Sequence, residues 1–151
     1  MKIVKTKTLS AHQASAIDKM WNEEYPLKLK DRFPMLLEGV VNYNHYLVED
    51  EAHNLLAWAV DFEKDGEIRF SIVVKAAQKG KGFGALLVNR LKVENNEFYG
   101  WVIDHNDDVK SNGERYETPM PFYLKHGFEI LQDVRIDTEM IRAVKIKWTA
   151  A

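Results

Sequence analysis

The stretch Lys79-Gly80-Lys81-Gly82-Phe83-Gly84-Ala85 puts three alternating glycines and two lysines into seven residues. Glycine lets a backbone approach an anion closely, and a helix N-terminus adds unpaired N–H groups and a partial positive charge. Between a strand and a helix, such a string holds a phosphate group. A Walker A loop is excluded, because Gly-x4-Gly-Lys-Ser/Thr occurs nowhere. A dinucleotide fingerprint is approximated, with Asp104 lying 20 residues beyond Gly84, near where an acid would meet a ribose. Its mid-chain position, after an antiparallel meander and with too little chain left for further βαβ units, speaks against it.

Other constellations carry less. Asp104-His105-Asn106-Asp107-Asp108 imitates the first half of a calcium loop, but Val109 stands where the turn glycine belongs and Arg115 where the final glutamate belongs. The five histidines show no HExxH or comparable spacing, so no metal is expected. With no cysteine, only four serines and no Gly-x-Ser-x-Gly elbow, an acyl-enzyme nucleophile has no candidate.

The elements that must position the glycine string follow from periodicity. Lys2 to Thr8 alternates and predicts a first strand. Ser10-Ala11-His12-Gln13 is a capping box, and Ala14, Ile17 and Trp21 continue one helical face. Leu27 to Glu38 predicts a second helix or helical turn broken around Pro34. Three antiparallel strands follow at His45–Glu49, Leu55–Phe62 and Glu67–Lys75, the last two joined by the hairpin signal Asp65-Gly66. Phe83, Leu87 and Leu91 share a helix face, and Phe98–Asp104 predicts a strand parallel to the one before the glycines, by the right-handed βαβ crossover. Residues 105–117 read as polar loop. Thr118 predicts an N-cap, Pro119 the first helical position and Gly127 the C′ position of a short helix. The tail predicts a hairpin, Phe128–Ile136 with Met140–Trp148. The expectation is one α/β domain over 1–151, with a mixed and mostly antiparallel sheet in the order β1-α1-α2-β2-β3-β4-α3-β5-α4-β6-β7.

Composition narrows the class. The chain has 151 residues, 46% of them hydrophobic, enough for a single core without disulfide or metal. Its 21 Lys and Arg against 23 Asp and Glu leave a net charge of −2, which argues against nucleic acid or an anionic membrane as partner. The N-terminal residues lack an uninterrupted apolar h-region, and the run Leu55–Val60 is far short of a membrane span, so a soluble, cytoplasmic protein is expected.

Val74-Lys75-Ala76-Ala77-Gln78-Lys79-Gly80-Lys81-Gly82-Phe83-Gly84 resembles the acyl-CoA loop of the GNAT superfamily of N-acyltransferases, Arg/Gln-x-x-Gly-x-Gly/Ala at a strand-to-helix junction, with Lys79 where Arg or Gln is usual. Phe122-Tyr123-Leu124-Lys125-His126-Gly127-Phe128 is similar to that family's second signature, at the end of its last helix. The two lie in the family's order, one strand apart and followed by a hairpin, and residues 10–45 match as helices. Tyr116 and Pro119, behind a longer loop, stand where the family often has Asn and Ala.

The resemblance implies an acetyl-CoA-dependent N-acetyltransferase in which an amine attacks the thioester directly. Acetyl-CoA would wedge between the two central parallel strands. The amides of Lys79, Gly80, Lys81, Gly82, Phe83, Gly84 and Ala85 would bind its pyrophosphate, Val73 and Val74 its pantetheine arm, and Lys75 and Lys81 its phosphates. The Val74 amide would stabilise the oxyanion, and Tyr123 would protonate or orient the departing thiolate. Asp104 and His105, with Glu67 as a third option, are base candidates. Tyr25 and Arg32 are candidate acceptor contacts, the acceptor being a small-molecule or peptide amine. A homodimer is left open, as is a non-catalytic acyl-CoA-binding or dinucleotide-binding module.

Overall fold

A computed structural model describes residues 2–151. Its strands are β1 (Lys2–Thr6), β2 (Tyr43–Glu49), β3 (Leu55–Lys64), β4 (Glu67–Val74), β5 (Glu97–Val102), β6 (Glu129–Asp137) and β7 (Arg142–Thr149). Its helices are α1 (Ala11–Glu24), α2 (Phe33–Leu36), α3 (Phe83–Glu94) and α4 (Met120–Lys125). The strands form one mixed sheet in the spatial order β1-β2-β3-β4-β5-β7-β6, antiparallel except for β4 against β5. The predicted element order and the parallel central pair are both present.

β3 explains how the sheet is covered. Leu55 to Phe62 are all buried, as expected of a strand with structure packed on both faces. Ala57 and Ala59 face a core shared with Leu87, Val88 and Leu91 of α3. Trp58 and Val60 face a second core with Ile17, Met20 and Trp21 of α1. The capping box that starts α1 is formed, with the Ser10 hydroxyl accepting from the Gln13 amide at 3.1 Å and the Gln13 side chain accepting from the Ser10 amide at 2.9 Å.

Several boundaries differ from the sequence reading. β1 stops at Thr6, whose hydroxyl accepts the Thr8 amide at 3.1 Å and turns the chain early. The stretch Leu27–Glu38, expected as a helix or helical turn broken around Pro34, forms a 3-10 turn at Leu27–Leu29 and the four-residue α2. The break falls at Asp31, with φ +62°, and not around Pro34, which lies in the first turn of α2 where a missing N–H costs nothing. Asn22 holds that break from α1, accepting the Asp31 amide at 2.8 Å and donating to its carboxylate at 3.0 Å. β5 ends at Val102, two residues before Asp104. α4 begins at Met120 with Pro119 as its cap, while the Thr118 hydroxyl accepts the Met120 amide at 3.2 Å.

The 105–117 segment is more than polar loop. Val109 bridges Arg115, and Lys110 bridges Pro26 at the end of α1. Asp108, Lys110 and Tyr116 are buried there.

Candidate functional site

β4 and β5 pair at a single register position, Arg69 opposite Tyr99, and at no other among the described residues. Beyond it the two strands fork toward their C-terminal ends. Phe70 fills the base of the fork. Its ring crosses Gly100 of β5 so closely that a Cβ there would lie 2.5 Å from it, and it meets Phe98, Phe128 and Tyr123 at centroid distances of 5.2–5.6 Å. A cleft of about 800 Å³ opens above it, at the carboxyl ends of the parallel strands where open α/β sheets bind ligands.

Register decides which backbone groups face this cleft. Val74 lies opposite Ala57 of β3, and the Lys75 amide donates to the Leu56 carbonyl at 3.1 Å, so Val74–Ala57 is a non-hydrogen-bonded pair. The N–H and C=O of Val74 therefore point away from β3, toward β5, and β5 has already diverged. By the same alternation the Ile72 carbonyl faces the cleft, where the Tyr25 hydroxyl stands 3.5 Å from it. An extended chain of a ligand can pair with this open strand edge.

The glycine string follows a 3-10 turn at Ala76–Gln78 and enters α3 through Gly82, whose φ of +85° is a left-handed conformation suited to glycine. No side chain caps α3, so the first amides of the helix have no intrahelical partner and point out of its N-terminus. Lys79, Gly80, Gly82, Phe83, Gly84 and Ala85 line the cleft together with Val73 and Val74. Lys75 and Lys81 do not; Lys81 donates to Gln78 at 3.1 Å. Gly84 lets the Phe122 ring of α4 pack on the helix start, since a Cβ there would be 3.1 Å from that ring.

Tyr123, on α4, is buried and lines the cleft. Burial, reinforced by the nearby phenols of Tyr25 and Tyr116, pushes its hydroxyl well above the usual tyrosine range, so it stays a proton donor. Tyr25 also lines the cleft, pushed up by burial to about 12. His126 lines the opposite rim, where burial, then Lys92 and Lys125, lower its basicity.

The other candidates lie elsewhere. Asp104 is outside the lining, taken by Arg135 at 2.7 and 3.2 Å, and that guanidinium holds its carboxyl below the usual range. Arg135 reaches it from a bulge in β6, where the register jumps from Leu131 to Arg135. His105 also lies off the cleft, its Nδ1 accepting the Asp107 amide at 3.1 Å. Glu67 is ion-paired with Arg69 and Lys145 at the far end of β4. Arg32 does not line the cleft; it spans the rim, with its guanidinium 3.6 Å from the Met35 sulfur and 3.9 Å from that of Met140.

Sequence reading missed one buried group on the cleft wall. Glu24, the last residue of α1, accepts the Ala76 amide at 2.9 Å and the Lys110 ammonium at 3.3 Å. It ties α1, the 105–117 segment and the turn before the glycine string together. No local pattern announces a pair separated by 86 residues. The Phe70 and Gly100 contact had a signal, because glycine inside a strand marks a close approach. No group of three or more His, Cys, Asp or Glu placed to hold a metal occurs among the described residues.

No protein-family model and no curated protein matches the sequence. Solved structures do match the fold. An aminoglycoside 6'-N-acetyltransferase complexed with coenzyme A aligns with a TM-score of 0.70 at 15% identity, over 99% of this chain and 97% of that one. The aminoglycoside 6'-N-acetyltransferase from Enterococcus faecium gives 0.69 at 16%, over 99% and 97%. A GNAT superfamily phosphinothricin acetyltransferase from Sinorhizobium meliloti in complex with acetyl-CoA gives 0.64 at 13%, over 100% and 90%. The chain has the GNAT fold.

Proposed function

We propose that the protein is an N-acetyltransferase that moves an acetyl group from acetyl-CoA directly to a primary amine. The observation that carries this reading is the fork itself. An unpaired β4 edge at Val74, an uncapped helix N-terminus and a protonated buried phenol line one cleft. The α3 amides and Lys79 take the pyrophosphate, and the open edge at Ile72 and Val74 pairs with the pantetheine amides, setting the thioester between β4 and β5; the Val73 backbone groups, expected from the resemblance to join them, face β3 instead. The neutral amine nitrogen attacks the thioester carbon, and its oxygen becomes an oxyanion held by the Val74 N–H. The C–S bond then breaks, the thiolate takes the Tyr123 proton, and the nitrogen's surplus proton leaves to solvent and reprotonates the tyrosine. No base is assigned to Asp104 or His105, which lie off the cleft.

Thermal melting with acetyl-CoA, free CoA and NAD tests the binding half. Either CoA species at about 100 times its dissociation constant adds about 2.7 kcal/mol of stability. Stabilisation by NAD alone, or by none, overturns the reading. Thiol release with a panel of amines tests the chemistry. Tyr123→Phe lowers kcat about 100-fold while the acetyl-CoA dissociation constant stays within about threefold, the split expected of a proton donor. Equal turnover by the variant returns Tyr123 to a packing role, and CoA binding without turnover of any amine by the wild type marks a silent binding module.

A further inference from the structure

The cleft passes through the fork to the sheet face covered by α1 and α2, and its walls there have a definite chemistry. Val73 packs with Trp21 in the α1 core, which puts Arg69, Ser71 and Val73, alternate residues of β4, on that face. Opposite them stand Trp21, Tyr25 and Leu29 from α1 and the turn after it, and Met35 and Leu36 from α2. Trp101 and Ile103 follow from the β5 end, with Tyr116, Ile136 and Ile141 closing the far side. The aromatic rings pack edge to face or tilted, Trp21 on Tyr25 at 4.4 Å and Tyr25 on Tyr116 at 6.4 Å.

Below the exposed rim, charge on this wall is committed or of one sign. Glu24 is saturated by the Ala76 amide and the Lys110 ammonium. Glu117, the other acid on the lining, is exposed to solvent at the rim. Arg69 is a cation, fixed by Glu67 and Asp65. A second ammonium on an acceptor would lose its water here without a carboxylate to replace it. One amine group meets no such obstacle. It must arrive neutral to react, an apolar wall favours its neutral form, and the cleft-facing Ile72 carbonyl and Tyr25 hydroxyl can orient its N–H. The volume adds a bound on size, because about 800 Å³ has to hold the pantetheine arm as well.

We infer that the acceptor is a small primary monoamine with an apolar, aliphatic or aromatic body, and not a polycation. This rests on the transferase reading for its chemistry, but the selectivity of the wall is measurable without turnover. Hexylamine and 1,6-diaminohexane differ by one terminal ammonium and little else. Their dissociation constants are measured calorimetrically on the CoA-loaded protein, or on the protein alone if CoA does not bind, and their kcat/KM with acetyl-CoA. The expected result is a kcat/KM about 100-fold lower for the diamine, with weaker binding to match. Ile141→Glu, which puts a carboxylate on the wall, brings the diamine to within about tenfold of hexylamine, and its melting temperature reports folding. Discrimination in binding without turnover supports the wall and overturns the transferase reading. Turnover with the diamine equal or better overturns the wall and leaves the transferase intact. Equal binding of both amines without turnover overturns both.

Discussion

Tyr123 and Asp104 show how much a residue's surroundings decide about its chemistry. Both entered as candidates on position in the sequence, yet one is a buried phenol on the cleft and the other a carboxylate clasped by Arg135 off it. Because the Tyr123 hydroxyl is pushed upward, kcat is expected to show no falling limb from tyrosine ionisation up to about pH 10, which a pH–rate profile checks. Asp104→Asn loses a half-exposed ion pair, so kcat should stay within about threefold of wild type and stability should change by no more than about 1 kcal/mol. A large loss of kcat at unchanged stability would give Asp104 a place in the reaction that its geometry does not suggest.

At the scale of elements, the β4–β5 fork depends on Phe70 lying across Gly100. The ring acts as a wedge under the cleft and as a support for Tyr123. Gly100→Ala puts a methyl group into the face of that ring, so the wedge must move. The expected cost is about 1–3 kcal/mol in denaturant unfolding, together with weaker acetyl-CoA binding because the fork above shifts. Unchanged stability and binding would show that Phe70 is free to repack and does not set the fork.

Across the whole molecule, the sheet encloses polar groups that link its layers. Asp61 of β3 accepts from Tyr46 of β2 at 2.8 Å and from Asn95, the cap of α3, at 2.9 Å. His45 is buried beside Trp58, whose indole N–H donates to its Nδ1 at 3.0 Å. Burial lowers the His45 pKa to about 4, against a weaker opposing pull from Asp61. The unfolded chain therefore binds a proton, near pH 6.5, that the folded chain refuses until about pH 4. Stability from this group is complete above pH 6.5 and is lost as pH falls toward 4, by at most about 1.4 kcal/mol per pH unit. Urea titrations of wild type and His45→Gln should converge as pH falls through that window. Parallel curves would mean that His45 is not the group responsible.

Periodicity and turn chemistry made the element order, the parallel β4–β5 pair and the glycine-to-helix junction legible from the sequence, because these depend on near neighbours: the Ser10–Gln13 box, Asp65-Gly66, and the spacing of Phe83, Leu87 and Leu91. Pro34 misled, since a proline ends a helix or opens one according to what precedes it, and here Asn22 had already fixed the break at Asp31. The site divides the same way. The glycine string could be picked by type and local context, and Tyr123 through the resemblance of its motif. What they can act on could not. The unpaired Val74 edge is a matter of register between strands, the Glu24–Lys110 clasp spans 86 residues, and the apolar wall is assembled from α1, α2, β5, the 105–117 segment and the β6–β7 hairpin. Interactions set by neighbouring residues are written in the order of the chain, whereas burial, register and charge pairing across the fold exist only once distant segments have been brought together.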